Sequence, residues 1–198
     1  NTTFWMIVIF IYYLLATLLP IDKIIGRVYP IFAAALLFMA IGVLVMLYVN
    51  MPVLPEIWDG LANIHPNAEK LPIFPIMFVS IACGAISGFH ATQSPLMARC
   101  MKKDKYGRPV FYGAMIVEGI VALVWAAAAT YFFQKNGMGE SNAAVIVNDI
   151  TNSWLGTIGG ILAILGVIAA PITSGDTALR SARLIIADFF NIEQKSIK

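Results

Sequence analysis

Val28–Pro55 reads VYPIFAAALLFMAIGVLVMLYVNMPVLP, twenty-eight residues without a charge. A helix of about 20 such residues crosses a hydrocarbon core of about 30 Å. Backbone groups cannot face lipid unsatisfied, so a spanning segment is a helix or a strand of a closed barrel. Barrel strands alternate apolar and polar residues; this run is apolar throughout, which favours a helix. Four more stretches, Asn1–Ile21, Leu71–Ala98, Pro109–Gln134 and Ile150–Gly175, are almost as free of charge. Composition agrees: of 198 residues 60% are hydrophobic and 12% charged, with mean hydropathy +0.82. A soluble domain carries about 25% charged residues.

The expected architecture is therefore all-α: a polytopic transmembrane helical bundle of about five spans, some interrupted by Pro or Gly. The spans are expected near residues 3–21, 29–50, 72–96, 110–133 and 153–172, with a cytoplasmic or interfacial helix over 176–191. The odd number of spans and the opening Asn1 lead to the expectation that residues 1–198 are one transmembrane segment of a longer protein. Cys83 and Cys100 are expected to be free thiols, since no cysteine framework or metal spacing is present.

Loop charges set an orientation. Asp22, Lys23 and Arg27 give +1; Glu56, Asp59, Glu69 and Lys70 give −2. Arg99, Lys102, Lys103, Asp104, Lys105 and Arg108 give +4, and Lys135, Glu140 and Asp149 give −1. The tail, with Asp176, Arg180, Arg183, Asp188, Glu193, Lys195 and Lys198, gives +1. Basic connections stay cytoplasmic, so residue 1 is expected outside and eleven of the thirteen Lys and Arg inside. The outer loop Asn50–Lys70 is expected to be irregular or short-helical, and Ser141–Thr151 a short surface helix. Trp58 and Trp154 sit where interfacial anchors belong.

Three places carry candidate chemistry. Glu118 is the one formal charge deep inside a span, nine residues from Pro109 or roughly 13 Å along a helix. An ionisable group there is costly and marks a proton relay or cation ligand; the bland alternative is a protonated carboxyl hydrogen-bonded to a neighbour. Ala114, Ala122 and Ala126 share its face, with Gly119 adjacent, so it is expected to point into the bundle. The third span ends in Ser87-Gly88-Phe89-His90-Ala91-Thr92-Gln93-Ser94-Pro95, where Pro95 removes a backbone donor and polar groups crowd together. If that helix starts at Pro72 and runs straight, His90 lies roughly 27 Å on, at an inner vestibule. His90 is a second candidate for proton coupling, while Ser87, Thr92, Gln93 and Ser94 are candidates for the substrate path or a gate. The fifth span meets Pro171 and Gly175, which are expected to break or kink it. Thr173, Ser174 and Asp176 then either cap the following helix or meet a carboxylate at its N-terminus. Gly156 and Gly160 form a weak packing pattern.

The run Ser87–Pro95, the following Met97-Ala98-Arg99-Cys100, and Gly107-Arg108-Pro109-Val110-Phe111-Tyr112-Gly113-Ala114-Met115 resemble the carbon starvation protein A family. So do Glu118-Gly119-Ile120-Val121-Ala122 and Ala170–Ala178 followed by Arg180-Ser181-Ala182-Arg183. The strong resemblance covers about Ile81–Phe133 and Gly166–Phe190. It implies a bacterial inner-membrane protein with more than five spans, active in uptake of peptides or pyruvate during carbon starvation and coupled to a cation gradient.

The reading is thus a multi-pass secondary active transporter or symporter. Its expected partners are the lipid bilayer, a small solute (peptide or pyruvate), H⁺ or Na⁺, and the remaining spans of the full-length chain. No cofactor, metal or nucleic acid is expected. The alternatives are a membrane sensor or assembly subunit without transport and, last, an intramembrane enzyme. The enzyme would need Ser94 or Ser174 in hydrogen-bond reach of His90 and Asp176, and no G-x-S-x-G or H-E-x-x-H motif is present.

Overall fold

The computed structural model describes residues 2–18, 22–56, 58, 62–63, 65, 67–82, 88–137 and 142–190. Their regular structure is entirely helical. Helices α1 (Thr2–Leu18), α2 (Asp22–Asn50), α3 (Ile73–Ile81) and α4 (Gly88–Cys100) are followed by a 3₁₀ turn at Asp104–Tyr106 and a π-helical stretch at Arg108–Gly113. That stretch leads directly into α5 (Ala114–Asn136), and α6 covers Ala143–Phe189.

The end of each long helix has a local cause. Asn50 Nδ2 donates to the Met46 carbonyl at 2.7 Å, and Met51 turns to φ 41° while its N–H still reaches Leu47 O. Pro52, with no N–H to give, follows. α5 closes on Gly137, whose φ of 76° suits glycine. The described residues between Asn50 and Lys70 are largely irregular or in turns: Asn63 Nδ2 donates to Leu71 O at 2.7 Å, and Asn67 N–H donates to His65 Nδ1. His65 therefore holds a loop together.

Two of the expected spans fall on helices long and apolar enough to cross a bilayer among the described residues, Pro30–Asn50 and Asp104–Asn136. The first span coincides with α1, a shorter apolar helix. The third is described as two pieces, α3 and α4, with residues 83–87 between them outside the described residues. The straight-helix measure to His90 therefore has no counterpart here.

The fifth span departs most from expectation. Helical backbone continues through Pro171 and Gly175 to Phe189, and the interruption lies at Gly156, with φ 64° and ψ −154°. Proline's fixed φ is helical and costs one bond, which neighbouring helices can offset within a membrane bundle. The Gly156 conformation, by contrast, is essentially closed to residues with a side chain. The α6 arms on either side of Gly156 meet at an angle: Gly159 lies against the Thr151 carbonyl, and Gly160 against the Asn152 side chain. Gly156 and Gly160 thus serve a bend. No helix begins at Thr173–Asp176, so no cap is needed there. The α6 cap is Asn142, whose side chain accepts from Ala144 N–H at 3.0 Å.

The first arm is no surface helix. Its Ile150 is buried with Val43 of α2 and with Val124 and Ala128 of α5, ringed by Leu47, Trp125, Phe132 and Trp154. Glycines set the spacing between α2 and α6. A Cβ on Gly42 would stand 2.9 Å from Leu155 Cδ2, and one on Gly166 2.7 Å from Leu36 Cδ2. Contacts that run from residue 42 to 36 on α2 and from 155 to 166 on α6 make these helices antiparallel. Most apolar side chains of α1 and of the outer faces of α2 and α5 are exposed. An apolar surface of that extent calls for lipid or further helices.

Candidate functional site

Glu118 sits within the first third of α5, and its side chain is exposed. It makes no hydrogen bond or ion pair among the described residues. The expectation that it points into the bundle is corrected for this part of the protein. The buried stripe of α5, Val124 and Ala128 with Trp125, Ala129 and Phe132 beside them, belongs to the C-terminal half of the helix. Glu118 lies on the flank of that stripe, below its packed part. Gly119 is half-buried, and an added Cβ would meet no described atom within 4 Å. Ala114 and Ala126 are exposed, and Ala122 is half-buried.

The polar end of the third span has more structure around it. His90 is half-buried, and its ring stands edge-on to Phe111, with centroids 6.2 Å apart and planes at 87°. Phe111 comes from the π-helical stretch, whose wider turn carries the chain from the basic loop into α5. Such stretches recur at functional sites. Ser94, four residues beyond His90, donates its hydroxyl to the His90 carbonyl at 2.8 Å. That bond supports a helix whose Pro95 has given up a backbone donor. It also directs the Ser94 proton to a carbonyl and away from an imidazole, the opposite of what a nucleophilic pair requires.

Gln93 is half-buried and donates through Nε2 to Ser181 Oγ at 3.0 Å. Ser181, 4% exposed, passes its own proton to the Thr177 carbonyl at 3.0 Å. Six residues farther along α4 and seven along α6, Arg99 stands 3.9 Å from Asp188, both well exposed at 67% and 75%. These contacts advance together along both helices, so α4 and the second arm of α6 run parallel. Ser174 is exposed, and at i−7 it shares the α6 face of Ser181. Ser87 lies outside the described residues, as do the side chains of Thr92, Thr173 and Asp176. Of the sequence candidates, then, Gln93 lies at the α4–α6 seam, His90 meets Phe111 of the π-helical stretch, Ser94 bonds within α4, Ser174 lies farther along α6, and Glu118 stands apart on α5. Sequence reasoning missed Ser181. The available signal was its place four residues after Thr177, inside the Arg180–Arg183 run.

Among the described residues no three His, Cys, Asp or Glu side chains converge as a metal site would need. Cys100 is a free, exposed thiol.

A family model described as carbon starvation protein CstA matches residues 1–155. The chain belongs to that family. It is 46% identical over 146 residues to an uncharacterized membrane protein of Haemophilus influenzae, covering 66% of this chain and 39% of that one. It is 33% identical over 118 residues to the pyruvate/proton symporter BtsT of Escherichia coli, covering 59% of this chain and 14% of that one. With the peptide transporter CstA of the same organism it shares 27% over 154 residues, 71% of this chain and 20% of the relative. The chain thus spans about four tenths or less of the length of these relatives. No solved structure matches it. Family membership and the long apolar helices make it a protein of the bacterial inner membrane.

Proposed function

We propose that this chain is part of a multi-pass secondary active transporter. It would carry small carboxylate-bearing nutrients, peptides or pyruvate, across the bacterial inner membrane by alternating access. A cation gradient, H⁺ or Na⁺, drives uptake, and the protein serves under carbon starvation. Relatives named peptide transporter and pyruvate/proton symporter support the class of activity. The observation that carries the coupling is Glu118, a carboxyl without a partner among the described residues and the one charge in α5 before Lys135. A charge at that depth must be met by a proton, a cation or a donor from another span. Changing which of these meets it is what couples ion movement to solute movement.

The helix directions support the five-span topology. With α2 running outward, its antiparallel partner α6 runs inward, and α4, parallel to α6, runs inward as well. That order is the one the loop charges call for. On this reading His90, Gln93 and Ser94, with Arg99 and Asp188, belong to the cytoplasmic end of the path and shape the inner vestibule. Ser87, Thr92, Thr173, Ser174 and Asp176 remain proposed parts of that path.

The test is uptake of labelled pyruvate and of a labelled dipeptide by the full-length protein in liposomes, with and without inward H⁺ or Na⁺ gradients. Gradient-driven uptake of one substrate is expected, and Glu118→Gln is expected to abolish it or to free it from the gradient. Wild-type behaviour of Glu118→Gln removes the coupling role and leaves transport standing. If neither solute moves under any gradient, the substrate assignment fails.

A further inference from the structure

We propose that Ser181 is the positioning residue of an inner gate: its buried hydroxyl holds Gln93 across the α4–α6 seam, and this bond opens each time the path faces the cytoplasm. The inference rests on the transporter reading and assigns it a moving part.

Ser181 has one proton, and it is spent on the Thr177 carbonyl of its own helix. Its lone pairs are therefore presented outward, and Gln93 Nε2 donates to them from α4. Within α6 that arrangement is self-contained. Losing Gln93 leaves Ser181 still bonded to Thr177, with an acceptor that water can satisfy once the seam parts. The amide of Gln93 can likewise exchange Ser181 for water. Arg99 and Asp188, the second contact on this seam, are already largely in solvent.

The α2–α6 contact has the opposite character. There, leucines fill the space left by Gly42 and Gly166, and separating them would expose close-packed apolar surface. Of these two seams of α6, the one with α2 is held by apolar packing and the one with α4 carries polar bonds that water can replace. Gln93 lies six residues before Arg99, and Ser181 seven before Asp188. Both polar contacts can therefore release together if α4 tilts as a unit. Pro95, between Gln93 and Arg99, has already removed one bond that would stiffen α4.

The test uses the full-length protein with its native cysteines replaced and Gln93→Cys and Ser181→Cys combined, reconstituted in liposomes. A short, reducible, thiol-specific cross-linker joins the pair, and a monofunctional analogue of the same reagent serves as control. Cross-linking is expected to stop gradient-driven uptake, reduction to restore it, and the monofunctional reagent to leave most of it. Undiminished uptake by the cross-linked pair makes the seam static and overturns the proposal, as does failure of the two thiols to cross-link. The cysteine-replaced protein that keeps Gln93 and Ser181 is assayed in parallel; absence of uptake by that protein strikes the transporter reading itself, so the two failures are distinguishable. A second measurement places the reporter Ser94→Cys in the same background and follows its reaction with a cytoplasmic maleimide. Ser181→Ala is expected to speed that reaction about five- to tenfold, the shift one hydrogen bond supports, and Ser181→Thr, which keeps the hydroxyl, to reverse it. Equal rates in all three overturn the gate.

Discussion

Gly166 of α6 lies directly beneath Leu36 of α2, leaving so little room that a Cβ on residue 166 would stand 2.7 Å from the leucine's Cδ2. The nearest atom is the far end of a flexible side chain, with Met39 Cε behind it at 3.5 Å. Gly166→Ala is therefore expected to be tolerated with a small shift of Leu36. Gly166→Val cannot be, because a branched side chain pushes the two helices apart. Overpacking of this kind costs about 1–3 kcal/mol. Thermal denaturation of the detergent-purified protein should show a clearly lowered midpoint for Val and a near-native one for Ala; equal midpoints would mean that the α2–α6 spacing is not set at this glycine.

Two other glycines should respond in opposite ways to the same substitution. Gly156→Ala places a side chain at φ 64° and ψ −154°, where strain costs about 1–3 kcal/mol. Gly119→Ala adds a methyl in open helix, with no described atom within 4 Å, and should gain about 0.5–1 kcal/mol from reduced backbone freedom. Comparing yield and melting midpoint of the two variants checks the location of the bend. A tolerated Gly156→Ala would place the break elsewhere.

The contrast between those glycines marks how far the sequence could be read. The helices were legible because uncharged runs of span length leave few alternatives; Pro30–Asn50 and Asp104–Asn136 carry that signal. The bend was not. Pro171 and Gly175 look like a break, and Gly156 with Gly160 looks like a packing pattern. Proline fits helical φ and loses one bond, whereas a positive φ appears only once the chain is folded. The surroundings of Glu118 were equally out of reach. Small residues on its face permit an approaching helix, but which helix approaches depends on spans beyond this chain's share of its relatives. Gln93 drew notice as a polar residue in a broken span, while its partner lies 88 residues away, a pairing that no local pattern encodes.

Orientation can be checked at a residue the protein already has. Cys100 is exposed at the end of α4, beside the basic loop. If that loop is cytoplasmic, a membrane-impermeant maleimide should label Cys100 in inverted vesicles and leave it unlabelled in intact spheroplasts. Asn67→Cys, in the acidic outer loop, should show the reverse. The comparison is made with the other native cysteines of the full-length protein replaced. Labelling of both positions from the same side would refute the alternation of loops on which the topology stands.

Glu118 allows a direct chemical test that needs no transport assay. A hydrophobic carbodiimide partitions into the bilayer and reacts with protonated carboxyls, whereas its water-soluble counterpart reaches those in solvent. Asp104, exposed in the 3₁₀ turn of the basic loop, is the internal reference. In native membranes the hydrophobic reagent should modify Glu118 well above Asp104, and the water-soluble reagent should invert that order, both read by peptide mass spectrometry. A charge within an apolar span is costly unless a cation or donor meets it. If Glu118 is the coupling group, adding the driving cation should therefore protect it. Strong modification that no cation reduces would indicate an embedded carboxyl held for structure. Modification no greater than that of Asp104 would mean that Glu118 is bathed in water, and the reasoning from depth would fail with it.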